Sequence, residues 1–314
     1  MTTFNEPQHQ NEEAARQWFE TLRWPDGVVC PHCGVLGRAY TRSKPGLYRC
    51  AEKECRKDFT VTTKSVMESS HIPLRLWAQA FTLLCSSKKG MSAHQVHRTL
   101  KITYKSAWFL CHRIREAMRT GGLGPLGGEG KVVEADETYF GNVPEATRRA
   151  SPQRRGRPYT KGGKVGVGGK RAIVSLVERG GNVRSFHVAV ADGATVANIV
   201  NENVLRESRL HTDESRLYTQ VGENFAAHET VIHSAKEYAR GDVTTNSVEG
   251  YFSIFKRGMK GVYQHCGEKH LHRYLAEYDF RFNHRIALGF NDGDRAALAV
   301  KNAAGKRLTY RQPH

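Results

Sequence analysis

Asp136 in "KVVEADETYFG", Asp213 in "SRLHTDES" and Glu249 in "TTNSVEGYFSIFKRGMKG" are carboxylates that end or adjoin segments of regular pattern. Three acids gathered at one spot repel one another unless a divalent cation lies between them, so their convergence would imply metal. Two Mg2+ or Mn2+ ions held this way can activate an attacking oxygen and stabilise the leaving oxygen in phosphoryl transfer. Lys256 follows Glu249 by seven residues, two helical turns, which puts both on one face of a helix. Beside them runs an apolar stripe of Val248, Phe252, Phe255 and Met259. The separation is too long for an i,i+4 ion pair, so Glu249 either has partners elsewhere in the chain or is a solvated surface charge. Lys256 correspondingly holds a phosphate or is ordinary helix surface. Glu214 competes with Asp213, and Asn246, one helical turn earlier, competes with Glu249.

A second group of chemical residues lies near the start. Cys30 and Cys33 form C-x2-C, and sixteen residues later Cys50 and Cys55 form C-x4-C. Thiolates paired on two knuckles and separated by a hairpin supply the four tetrahedral ligands of a structural Zn2+ site. The second knuckle is slightly long for this pattern, and His32 could replace one thiolate. A segment this short rarely holds a core without metal, so it reads as a zinc ribbon. Cys85, Cys111 and Cys266 stand alone in helical apolar patterns and read as buried small hydrophobes.

The chain has 314 residues, with 48 Lys and Arg against 31 Asp and Glu, a formal charge of +17. An excess of this size points to a polyanionic partner, and nucleic acid is the usual one. The excess is clustered. Between Asn142 and Arg171 lie Arg148, Arg149, Arg154, Arg155, Arg157, Lys161, Lys164, Lys170 and Arg171, with Glu145 as the sole acid. So basic and Gly-rich a stretch cannot bury a core; it would order on phosphates or remain a solvated loop. No apolar run approaches the ~18 residues of a membrane span. The start, "MTTFNEPQHQNEEAARQWFE", is polar and acidic, unlike a secretory signal, so a cytoplasmic location is expected.

These residues need elements to position them. A helix is expected over 12–22, then the ribbon. From Pro73 to Met118 the pattern is helical, and "GMSAHQVHRTL" and "TYKSAWFLCHRIREAM", joined by "KI", fit a helix-turn-helix with Lys105 and Arg113 facing DNA. A plain helical hairpin fits the same pattern. "TGGLGPLGGEG" is a Gly-rich linker. Beyond it come a strand closing at Asp136 and a hairpin of two strands around "ERGGNV". A helix, a short strand closing at Asp213, a last strand at "ETVIHS" and two helices complete the order. A mixed α/β fold follows, with a central sheet flanked by helices, and the acids converge if its first and fourth strands are neighbours.

Taken together, "CPHCG", "LYRCAEKECRKDFTVTTKSV", "KKGMSAHQVHRTLKITYKSAWFLCHRIREAM", "VVEADETYFG", "TTNSVEGYFSIFKRGMKGVYQH" and "HLHRYLAEYDFRFNHR" resemble the DDE transposases of bacterial insertion sequences, in the ISXO-like group with an N-terminal zinc ribbon. The motifs run in that group's order over residues 14 to 290. The resemblance implies an RNase H-like integrase core with Asp136 and Asp213 as the first two acids. The third falls on Glu249 or Asn246, followed by the basic Lys256. It implies two Mg2+ or Mn2+ ions on Asp136, Asp213 and Glu249, and DNA contacts from the Arg-rich stretch, Lys105, Arg113, Lys256 and Arg257. The implied activity is binding of terminal inverted repeats, metal-dependent strand cleavage and strand transfer. Synapsis of two ends implies a homodimer or higher on DNA, in a prokaryotic, nucleoid-associated setting. The domains are then an N-terminal helix (1–24), a zinc ribbon (25–70), a helix-turn-helix region (71–119), a linker (120–130), a catalytic domain (131–290) and a C-terminal tail (291–314). A DNA-binding regulator without catalysis is the competing reading; it would have no need of the acid set.

Overall fold

The computed structural model describes residues 4–121, 124–142 and 170–309. The chain divides into two compact units, one made of Met1–Gly121 with His284–His314 and the other of Gly122–Asn283.

In the first unit, helices α1 (Pro7–Gln10) and α2 (Glu12–Arg23) precede a small antiparallel sheet of β1 (Ala39–Thr41), β2 (Tyr48–Cys50) and β3 (Asp58–Phe59). Asn11 caps α2 by accepting the Glu13 and Ala14 N–H groups, as a short polar residue before a helix should. Trp24, Tyr48 and Phe59 meet in one aromatic cluster beneath the ribbon. Three helices follow, α3 (Leu74–Ser86), α4 (Ala93–Leu100) and α5 (Tyr104–Met118). Lys101 ends α4 in the left-handed conformation (φ 53°), and Thr103 caps α5, which produces the tight turn between them. Residues 291–314, expected as a tail, include a further helix, α10 (Asp292–Lys301). It packs against α3, burying Ala296, Ala299 and Val300. Arg295 reaches the Cys85 carbonyl at 3.0 Å.

The second unit is the mixed α/β core. Its strands are β4 (Val132–Asn142), β5 (Lys170–Glu178), β6 (Val183–Val188), β7 (Arg209–Thr212) and β8 (Ala227–Thr230), in the sheet order β6-β5-β4-β7-β8. β5 is antiparallel to β4 and β6, whereas β4, β7 and β8 pair in parallel. Helices α6 (Gly193–Asn203) and α7 (Thr219–Gly222) contribute Val196, Val200 and Val221 to the core over Val133, Ala135, Val174 and Leu176. α8 (Asn246–Gly258) and α9 (Leu271–Asn283) belong to the cluster over Ile173 and Val177, the alternate β5 residues. Alternation along the strands thus feeds two apolar faces, each covered by helices. A two-stranded hairpin, β9 (Ala239–Arg240) and β10 (Val243–Thr244), leads into α8. This is an RNase H-like fold, and the first and fourth strands of its sheet, β4 and β7, are indeed neighbours. β4 is longer than the sequence suggested. It continues past Asp136 to Asn142 because β5 pairs with it along that whole length.

No helix among the described residues is long and apolar enough to cross a membrane.

Candidate active site

β4 and β7 are paired as far as Glu134 and His211. β7 then stops at Thr212 while β4 runs on, so the β7 side of β4 loses its strand neighbour just where the chain leaves β7 at Asp213. Asp136, Glu137 and Asp213 meet at this notch, with one oxygen from each lying within 4.8 Å of the others. Each carboxylate is fixed by its own bond. The Glu137 N–H donates to Asp136 Oδ1 at 2.7 Å, the Ser215 N–H to Asp213 Oδ1 at 3.0 Å, and the Tyr218 hydroxyl to Glu137 Oε2 at 3.0 Å.

Burial, and then the charges of Asp213, Glu137 and Glu249, push the Asp136 carboxyl up to about 8. Glu137 is raised as well, by burial first and by Asp213 next. Close carboxylates that resist ionisation to this degree form a cluster whose penalty a hard divalent cation reverses, and an all-oxygen donor set suits Mg2+ or Mn2+.

The third position is arranged differently. Glu249 is exposed on the first turns of α8 and lies outside the group of oxygens within 4.8 Å, although its charge reaches Asp136. Its Oε1 accepts from Thr245 Oγ1 at 3.2 Å and lies 3.4 Å from His233 Nε2. Asn246 opens α8 and is exposed. Glu214, the competitor of Asp213, is engaged elsewhere, accepting the N–H groups of His233 (2.7 Å) and Ser234 (3.0 Å). Glu137 was not singled out from the sequence, because period-two alternation sends it to the face opposite Asp136.

In the first unit, the four thiols Cys30, Cys33, Cys50 and Cys55 also lie within 4.8 Å of one another, at 3.8 Å for Cys30–Cys55 and 3.6 Å for Cys33–Cys50. A tetrahedron with ~2.3 Å metal–sulfur bonds has edges of about 3.8 Å, so the thiols fit zinc without rearrangement. His32 is not part of the cluster.

The sequence model described as "ISXO2-like transposase domain" matches residues 125–283, and the one described as "Transposase zinc-ribbon domain" matches residues 10–58. The chain belongs to the ISXO2-like transposase family. It is 28% identical over 283 residues to an "Uncharacterized protein in transposable element ISH50" of Halobacterium salinarum, covering 86% of this chain and 90% of that protein. Among solved structures it is similar to the Mos1 strand transfer complex at 13% identity, covering 72% of this chain and 74% of that one, with a TM-score of 0.30.

The basic residues of this ISXO2-like chain divide by environment. Lys256 is half-buried on α8 with its ammonium 5.9 Å from the Phe252 ring centroid. Burial lowers its pKa, Asp136 opposes that shift, and Lys260 and Lys170 add to it, so Lys256 feels both the carboxylate cluster and two further ammonium groups. Lys170 and Arg257 are exposed, the latter donating to Ser253 O at 3.2 Å. Lys105 is exposed on the first turn of α5. Two arginines expected on DNA are instead taken up by the fold. Arg113 is buried, donating to the carbonyls of Glu68 (3.1 Å) and Leu308 (3.3 Å) over the Phe109 ring. Arg171 is buried too, donating to Cys266 O at 2.8 Å, and it passes so close to Gly141 (φ +65°) that a Cβ there would lie 3.1 Å from its guanidinium. Arg148, Arg149, Arg154, Arg155, Arg157 and Lys161 lie outside the described residues.

Proposed function

We propose that this chain is a transposase that binds the terminal inverted repeats of an insertion sequence and, with Mg2+ or Mn2+, cleaves and joins DNA strands. The observation that carries the reading is the Asp136–Glu137–Asp213 cluster, three constrained carboxylates at the sheet notch of a transposase-family core. Asp136 and Asp213 would hold the cations, with Glu249 or Asn246 closing the set from α8. When bound, the cations supply Lewis-acid stabilisation of the transferring phosphoryl group. The chain's own residues do the positioning. Lys256, with Lys170 and Lys260 beside it, binds the phosphate flanking the scissile bond, and Tyr218 fixes the rotamer of Glu137. Hydrolysis at each element end frees a 3′-hydroxyl, which then attacks target DNA by transesterification.

The exposed first turn of α5, with Tyr104 and Lys105, is the part of the helix pair suited to a DNA groove, since its second half is buried. The ribbon thiols hold structural zinc. Two ends require at least a dimer on DNA, and the setting is the prokaryotic nucleoid. One observation favours the second reading, a DNA-binding regulator without catalysis: Glu249 stands apart from the cluster.

The test is a strand-transfer assay with purified protein, Mg2+ and labelled element ends, run beside Asp136→Asn, Glu249→Gln and Asn246→Ala. Joined products that vanish with Asp136→Asn and with one of the two α8 variants support the transposase and identify the third ligand. Tight, salt-sensitive binding with neither cleavage nor joining supports the regulator. Cleavage without joining would mark a nuclease.

A further inference from the structure

Glu134 is fully buried on β4, two residues before Asp136 and on the same strand face, about 7 Å away along the strand. A buried carboxylate is costly unless every lone pair is used, and here each oxygen has partners. Oε2 accepts the backbone N–H groups of Ser247 (2.7 Å) and Val248 (3.1 Å), in the first turn of α8. Oε1 accepts from Ser247 Oγ at 3.0 Å and from Arg179 Nε and Nη2 at 3.1 and 2.8 Å. Arg179 donates in turn to the carbonyls of Asp242 (2.8 Å) and Thr244 (3.3 Å), gripping the hairpin that leads into α8.

The helix needs this outside acceptor. Its N-cap residue, Thr245, makes no side-chain cap, because Thr245 Oγ1 donates to Glu249 instead. A capping carboxylate at a helix N-terminus is also favoured by the helix dipole. An apolar contact could hold α8 on the sheet with no desolvation penalty, but it would not fix the helix at hydrogen-bond precision.

We infer that Glu134 is a positioning residue of the active site: from the strand that carries Asp136 it caps the helix that carries Asn246 and Glu249, and so sets the spacing between the two halves of the acid set. This rests on the metal-dependent reading above.

The test uses the full-length protein with Glu134→Asp and Glu134→Gln. Four quantities are read: Mn2+ affinity without DNA by electron paramagnetic resonance, cleavage rate, affinity for element ends, and Tm. Glu134→Asp keeps the charge for Arg179 but withdraws the carboxylate from α8. Glu134→Gln keeps an oxygen in reach of α8 but leaves Arg179 without its counter-charge. Positioning therefore predicts that Glu134→Asp loses more Mn2+ affinity and rate, about 10- to 100-fold, with affinity for DNA ends unchanged, whereas Glu134→Gln loses more Tm. Metal affinity and rate that track Tm across the two variants, or that stay at wild-type values in folded Glu134→Asp, overturn the inference. If Glu134→Gln does not fold, the Mn2+ affinity of Glu134→Asp decides alone. A wild-type protein that binds Mn2+ but neither cleaves nor joins DNA overturns the transposase reading instead, and leaves the Mn2+ comparison standing.

Discussion

Replacing Asp136 with asparagine should stabilise the metal-free protein while abolishing its chemistry. Burial and the charges of Asp213, Glu137 and Glu249 hold the folded carboxyl at about 8, against 3.8 in an exposed chain. Between those values the unfolded chain is ionised while the folded one keeps its proton. The stability contributed by the protonated form is therefore complete below the unfolded value and is lost as pH rises through the folded one. At pH 7 the interval above the unfolded value is about three pH units, on the order of 4 kcal/mol at roughly 1.4 kcal/mol per unit. The amide escapes this penalty and still offers Oδ1 to the Glu137 N–H. For a unit of this size (Gly122–Asn283), such a gain raises Tm by roughly 10 °C at pH 7, and at pH 5 by only a few degrees. Differential scanning calorimetry in EDTA across pH 5–8 measures the trend. Saturating Mg2+ should raise the wild-type Tm and leave that of Asp136→Asn nearly unchanged. An Asp136→Asn protein less stable than wild type at pH 7, or a Tm difference that does not vary with pH, would refute the account of the cluster as an electrostatically penalised cation site.

Other outcomes follow from the same geometry. Burial, with the neighbouring thiols, pushes the Cys50 thiol up to about 12, so zinc uptake must release protons; chelator-stripped protein should regain zinc more tightly as pH rises, measured by competition with a chromophoric chelator. Lys256→Gln should slow cleavage and reduce the salt slope of end binding by about one, with little change in Tm. Arg113→Ala should cost about 2–3 kcal/mol in denaturant unfolding, because it removes a buried side chain and strips donors from two partly buried carbonyls, and should leave the salt slope of DNA binding unaltered. Lys105→Ala should do the reverse.

What the sequence disclosed was what local pattern encodes. The knuckle spacing announced the thiol cluster, and the strand-helix order put Asp136 on the first strand and Asp213 at the close of the fourth, to converge if those strands were neighbours. What it hid depends on pairing between distant segments. β4 outlasts its apparent end because β5 accompanies it to Asn142, and no residue of β4 records that. Glu137 joins the cluster because β7 stops early, opening the edge around which both strand faces can reach. Glu134 reads as one more polar residue of an alternating strand until α8 supplies its amide partners. Arg113 has the composition of a groove-facing side chain, but its burial is decided by Glu68 and Leu308, far away in the chain.

The return of α10 to the first unit has a consequence for biosynthesis. The ribosome makes the ribbon and α3–α5 before Gly122–Asn283, yet the helix that packs on α3 emerges only after it. Gly122–Asn283 is synthesised whole in between and can fold as a unit, while Met1–Gly121 waits with the α3 surface bare. A nascent chain that stalls short of His284 would therefore carry a finished sheet and an unfinished partner unit, marked for aggregation or proteolysis. Emergence of α10, rather than of α3–α5, becomes the event that lets the first unit close over α3.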